Sequence, residues 1–152
     1  MKVLLLENIN QEAVKLFEKE GYPVEYYEKT LPYNELMEKV KNISILGIRS
    51  RTKINEELLK KAIRLISLGA FCIGTNQIDL SAASRKGISV FNAPYSNTRS
   101  VVELMIGEII VLMRNIIDKN IMLHKGIWNK STVNSHEIRG KTLGIIGYGN
   151  IG

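Results

Sequence analysis

Short apolar runs that alternate with helix-length amphipathic segments constrain the fold of this chain more than any other feature. Residues 2–6, 24–27, 44–48, 64–68 and 88–91 read as strands, and each is separated from the next by a segment long enough for a helix. Strands without polar alternation are buried on both faces, and parallel neighbours need crossover connections of helical length. The pattern predicts an α/β fold: a five-stranded parallel sheet, flavodoxin-like, covered on both faces by helices. Asn10 is placed to cap a helix over 10–20 whose apolar face carries Ala13, Val14, Leu16 and Phe17, with Gly21 as its stop. Further helices are expected over 33–41, over 56–63 behind Asn55, and from Asp79 to Gly87.

The rhythm changes at Asn92. A polar loop over 92–98 leads into one long predicted helix over 99–123, with Ser100 and Glu103 spaced as a capping box. Apolar residues surround this helix, among them Val101, Leu104, Ile106, Ile109, Leu112 and Ile117, so it requires cover on several sides from a second domain or subunit. A domain boundary is therefore expected near Asn97, dividing the chain into 1–97 and 98–152. A last apolar strand, 142–146, feeds Gly147-Tyr148-Gly149-Asn150-Ile151-Gly152, a Gly-x-Gly-x-x-Gly run.

Composition removes several classes. Cys72 is the only cysteine, which excludes an intramolecular disulfide framework and a multi-cysteine metal site, and a cytoplasmic setting is expected. The net charge of +6 is spread thinly: no Lys/Arg run exceeds two, and aromatic residues are not interleaved with the basic ones, so no nucleic-acid partner is expected. The most apolar stretch, 100–122, is interrupted by Glu103, Glu108, Arg114, Asp118 and Lys119, so neither is a membrane partner.

Two constellations carry chemistry. In a strand-fed Gly-x-Gly-x-x-Gly, the first glycine allows a tight turn, the second admits a pyrophosphate to the backbone, and the third lets a helix pack closely. An ordinary glycine-rich turn fits the same residues. The second constellation is three loops, Arg49-Ser50-Arg51, Gly74-Thr75-Asn76 and Ser96-Asn97-Thr98, each following a strand. Parallel strands deliver all three to the carboxyl edge of the sheet, where open α/β sheets bind ligands. Two guanidiniums beside a serine suit a phosphate or carboxylate, and they equally fit solvated loop charges. Cys72 reads as a small core residue, and His124 and His136 as ordinary polar histidines.

These residues resemble the D-isomer-specific 2-hydroxyacid dehydrogenases. The likeness runs through the whole chain and is densest in Gly47-Ile48-Arg49-Ser50-Arg51-Thr52, in 71–79, in 91–101, in Gly126-Ile127-Trp128-Asn129-Lys130 and from Arg139 to Gly152. The Arg-Ser-Arg-Thr and Trp-Asn-Lys segments point toward a branch with a phosphorylated 2-hydroxy acid as substrate. The resemblance implies that Arg49, Ser50 and Arg51 hold the substrate's phosphate or carboxylate, helped by backbone at Ile73 and Gly74. It places Asn97 near substrate and nicotinamide, and Trp128 and Lys130 on a loop reaching toward a partner subunit. It implies NAD as cofactor of the complete enzyme, held through Gly147, Gly149, Asn150, Ile151 and Gly152 but not expected to bind residues 1–152 alone, and a homo-oligomer formed through the helix over 99–123 and the Trp128 loop. The catalytic arginine, glutamate and histidine of the family match no residue here, and neither His124 nor His136 corresponds to that histidine. The expectation is the N-terminal part of a dehydrogenase: a substrate domain followed by the first helix and strand of a Rossmann domain, truncated after the glycine run and inactive alone. Alternatives are a dehydrogenase of an unphosphorylated hydroxy acid, an NAD-sensing corepressor, or a dimerisation module.

Overall fold

The computed structural model describes residues 1–152. The chain forms two compact units, Met1–Ser96 and Asn97–Gly152. The first contains β1 (Val3–Leu5), α1 (Gln11–Lys19), β2 (Val24–Tyr26), α2 (Tyr33–Lys39), β3 (Ile45–Ile48), α3 (Glu56–Lys61), β4 (Ser67–Ala70), α4 (Leu80–Arg85) and β5 (Ser89–Asn92). All strand pairs are parallel and the order is β2-β1-β3-β4-β5, the doubly wound arrangement seen in flavodoxin.

Side-chain alternation along β1 sorts the core into two layers. Leu4 and Leu6 face a large cluster with Leu46, Ile48 and Leu68, closed by Leu36 of α2, Leu58 and Leu59 of α3, and Ala82 and Ala83 of α4. Val3, Leu5 and Ile9 face the other way, against Ala13, Val14 and Phe17 of α1. The expected cover on both faces stops short of β5. There Val90 packs on the main core, while Ser89 and Phe91 are exposed.

The caps follow the sequence. Asn10 accepts the Glu12 amide, Asn55 the Leu58 amide and Asp79 the Ala82 amide, each taking up one orphan donor of its helix. Gly21 and Gly87 take positive φ just past α1 and α4, where a side chain would be strained. β4 lies later than expected, at Ser67–Ala70 rather than 64–68. A turn over residues 62–65 places Leu65 in the core, and the Ile66 amide then bonds to the Ser44 carbonyl. Small residues then continue the strand because the Phe71 ring sits over the row: a β-carbon on Gly47 or Gly69 would lie 3.0 or 3.1 Å from it.

In the second unit, α5 (Thr98–Met113) and α6 (Ile116–His124) replace the single expected helix. Asn115 adopts the left-handed conformation (φ 52°, ψ 40°) and breaks the ladder between them. The expected capping box does not form. Asn97 is the N-cap, Ser100 lies inside α5, and Glu103 pairs instead with Arg99 at 2.7 Å. Residues 142–146 are not a strand, since residues 97–152 contain no other strand to satisfy one, and Ile146 is fully exposed. No helix is long and apolar enough to cross a membrane.

Candidate functional site

Five segments leave the carboxyl edge of the sheet, and side chains and backbone lace them together. The loop after β1 begins with Glu7 and Asn8, both at positive φ (66° and 54°), uncommon for residues other than glycine. Their amides reach the Lys29 and Tyr27 carbonyls of the β2 loop, and the Tyr26 hydroxyl donates to Asn8 Oδ1 at 2.8 Å. Gln77, after β4, donates to the Arg49 carbonyl at 2.8 Å and joins the β4 loop to the β3 loop. Asn92, ending β5, donates to the Ile73 carbonyl at 2.7 Å. The half-buried Cys72 packs against the main core, as expected, and its thiol also lies within this lacing, 3.2 Å from the Gly74 carbonyl and 3.4 Å from Gln77 Nε2.

The lacing frames a cavity of about 490 Å³ lined by Glu7, Asn8, Glu28, Lys29, Thr30, Arg49, Ser50 and Arg51. Lys29, Arg49 and Arg51 form no ion pair within the chain, so three cationic donors stand free around it. A second hollow of similar volume shares Asn8 and Arg49 and extends over Asn10, Gln11 and Phe71.

Glu7 is the buried charge of the group. Its Oε2 accepts the Arg51 amide at 2.9 Å and its Oε1 the Thr52 amide at 2.8 Å. Burial pushes its pKa up. The Thr52 hydroxyl, buried without a well-formed partner of its own, and the amides of Arg51, Thr52 and Arg49 outweigh burial and hold the carboxyl below its ordinary value. Glu7 at neutral pH is thus a carboxylate gripping the arginine loop from beneath.

Arg49, Ser50 and Arg51 therefore share one cavity. Ile73 and Gly74 do not line it; they stand on the neighbouring β4 loop with their carbonyls engaged by Asn92, Cys72 and Gln77. Asn97 opens the second unit as the N-cap of α5. Trp128, 70% exposed, and Lys130 follow α6 in a loop held by Asn129, whose Oδ1 accepts the Ser131 amide. Gly147, Gly149, Asn150, Ile151 and Gly152 form an exposed turn. Gly147 has φ 89°, and a β-carbon on Gly152 would meet the Gly147 carbonyl and Tyr148 at 3.2 Å. His124 and His136 are exposed. Glu7 and Lys29 escaped the sequence reading, although the rule that gathered the β3, β4 and β5 loops at one edge applies equally to those after β1 and β2.

The parallel sheet and its order are those of a doubly wound α/β protein, and sequence comparison specifies the family. Residues 3–145 match the D-isomer specific 2-hydroxyacid dehydrogenase, catalytic domain, and the chain belongs to that family. It is 55% identical, over its full 152 residues, to D-3-phosphoglycerate dehydrogenase 2 of Saccharomyces cerevisiae, covering 32% of that protein. With D-3-phosphoglycerate dehydrogenase of Dictyostelium discoideum it shares 52% identity over the same length, covering 37% of it. The chain thus spans about a third of the length of these curated relatives. D-Lactate dehydrogenase of Aquifex aeolicus, solved with NAD and lactic acid, superposes with a TM-score of 0.80 at 26% identity, over 100% of this chain and 46% of that one.

Proposed function

We propose that residues 1–97 are the substrate-anchoring domain of an NAD-dependent D-3-phosphoglycerate dehydrogenase and that residues 98–152 begin its nucleotide domain. The observation that supports this reading is the cavity lined by Lys29, Arg49 and Arg51, none of them in an ion pair within the chain, beside the carboxylates of Glu7 and Glu28. Guanidiniums offer paired, planar donors to phosphate oxygens, and an ammonium adds a point charge, so a phosphorylated acid fits better than a neutral one. The shares of identity with phosphoglycerate dehydrogenases agree with it.

The tight turn at Gly147 and the close approach at Gly152 fit a backbone that receives a pyrophosphate, with Asn150 and Ile151 beside it. NAD, when bound there, supplies the hydride acceptor for oxidation of the 2-hydroxyl. Within residues 1–152 the chemistry is anchoring: Arg49, Ser50, Arg51 and Lys29 hold the anionic end, and Ile73, Gly74 and Asn97 serve the rest of the substrate. The family's catalytic arginine, glutamate and histidine match no residue of this chain, so it does not turn over alone. Homo-oligomerisation through α5, α6 and the Trp128–Lys130 loop completes the reading, in the cytoplasm. The test is NAD reduction by the complete dehydrogenase with 3-phosphoglycerate, D-glycerate and D-lactate compared. A large preference in kcat/KM for the phosphorylated acid is expected, and equal values would refute the assignment.

A further inference from the structure

The arginine loop is not held by its own side chains. Its amides at Arg51 and Thr52 end on the two oxygens of a carboxylate 44 and 45 positions away in sequence, on a different strand's loop. Glu7 and the adjacent Asn8 both occupy left-handed backbone conformations, which non-glycine residues keep only when the surroundings fix them. The Asn8–Tyr26 hydrogen bond and the amides reaching Tyr27 and Lys29 do so from the β2 side. A strained turn, a buried carboxylate and a cationic loop are thereby joined into one device.

From this arrangement we infer that Glu7 is a positioning residue, whose carboxylate fixes the Arg49–Arg51 loop so that its side chains converge on an anion. The inference rests on the anion-binding reading of the cavity. Glu7 is itself negative and lines that cavity, so Coulomb repulsion alone makes it unfavourable to an anionic ligand. Its place in a cavity lined by three cations and Glu28 is accounted for if loop geometry outweighs that repulsion. Glutamine cannot substitute. One of its two terminal atoms is an NH₂ donor, which would face an amide donor and leave it buried without a partner. The groups facing Glu7 are Asn8 on its own loop, Glu28 and Lys29 from the β2 loop, and Arg49, Arg51 and Thr52 from the β3 loop.

The sign of one substitution decides the matter. Calorimetry of 3-phosphoglycerate binding at pH 7.5 is run on the 152-residue chain as wild type, Glu7→Gln and Glu7→Asp. Positioning predicts binding about tenfold weaker in Glu7→Gln, the order of one charge-assisted hydrogen bond, with partial recovery in Glu7→Asp. Equal or tighter binding by Glu7→Gln overturns the positioning role while leaving the anion site intact. No binding by the wild type overturns the anion-site reading, and the inference with it. A ligand-free readout stands beside these in case Glu7→Gln does not fold. In the wild type, the Arg51 and Thr52 amide proton shifts must move together with the protonation of Glu7, below the ordinary carboxylate range. Shifts that stay flat on acidification overturn the inference.

Discussion

Among single residues, the cavity's cations are proposed to hold a ligand, whereas its buried carboxylate holds a loop and one glycine leaves room in the core. Arg51→Ala removes an unpaired guanidinium whose backbone stays anchored to Glu7. Charge-assisted hydrogen bonds contribute roughly 1.5–3 kcal/mol, so affinity for 3-phosphoglycerate is expected to fall about 10- to 150-fold with thermal unfolding unchanged. Calorimetry beside a melting curve checks both halves. Glu7 couples the same loop to pH. Its folded pKa is depressed, so its contribution to stability is complete above the ordinary carboxylate range and is lost as pH falls through the lower folded value. Urea unfolding should therefore show Glu7→Gln less stable than wild type at pH 7, with the gap closing as acid protonates the wild-type carboxyl. Gly47→Ala tests packing instead of charge. The new β-carbon would lie 2.5 Å from Leu5 Cδ2, 3.0 Å from the Phe71 ring and 3.1 Å from Ile9 Cδ1, and Leu5 is fully buried. Overpacking of this kind costs about 1–3 kcal/mol, readable as a lower urea midpoint.

Between elements, β2 is an edge strand tied to its neighbours by charge. Glu25 meets Lys2 of the β1 entry at 2.8 Å, Lys39 of α2, and the Tyr27 hydroxyl at 2.8 Å, and these hydrogen bonds hold its pKa down to about 2. The cluster is partly open to water, so Glu25→Gln should cost only about 1 kcal/mol at pH 7. Because the folded pKa is the lower one, that difference is expected to shrink between the ordinary carboxylate range and about pH 2, as stability measured against pH will show. How far such elements could be read in advance depended on how local their causes are. The strands and the caps at Asn10, Asn55 and Asp79 follow from alternation and from side-chain oxygens a few residues from their amides, so both were legible. β4 begins later than its apolar run because a turn at 63–64 interrupts that run and leaves Ile63 and Ile66 exposed with only Leu65 buried, and Gly69 within the strand leaves room for the Phe71 ring. The break at Asn115 has no periodic signature, since apolar residues continue on both sides of it. The site showed the same division. Arg49 and Arg51 announce themselves by charge and spacing, whereas Glu7 matters only because the parallel order sets the β1 loop beside the β3 loop.

Across the whole molecule, the two units differ in kind. Every buried side chain belongs to Met1–Ser96, and no residue of Asn97–Gly152 is buried. The first unit closes its own sheet, caps its helices and completes the cationic cavity from its own loops, so residues 1–96 have what a domain requires to fold independently. The second unit instead presents Leu104, Ile106, Leu112, Ile117 and Leu123 to solvent along α5 and α6. Exposed apolar surface of that extent drives association, because removing it from water is favourable at roughly 25 cal/mol per Å². Sedimentation should therefore show residues 1–152 associating as concentration rises through the micromolar range, and residues 1–96 remaining monomeric. The shorter polypeptide should also keep most of the affinity for 3-phosphoglycerate, losing only the contribution proposed for Asn97, since every residue lining the cavity lies before Ser96. A monodisperse monomer of residues 1–152 would show that α5 and α6 are satisfied without a partner. Loss of anion binding in residues 1–96 would show that the cavity depends on the second unit.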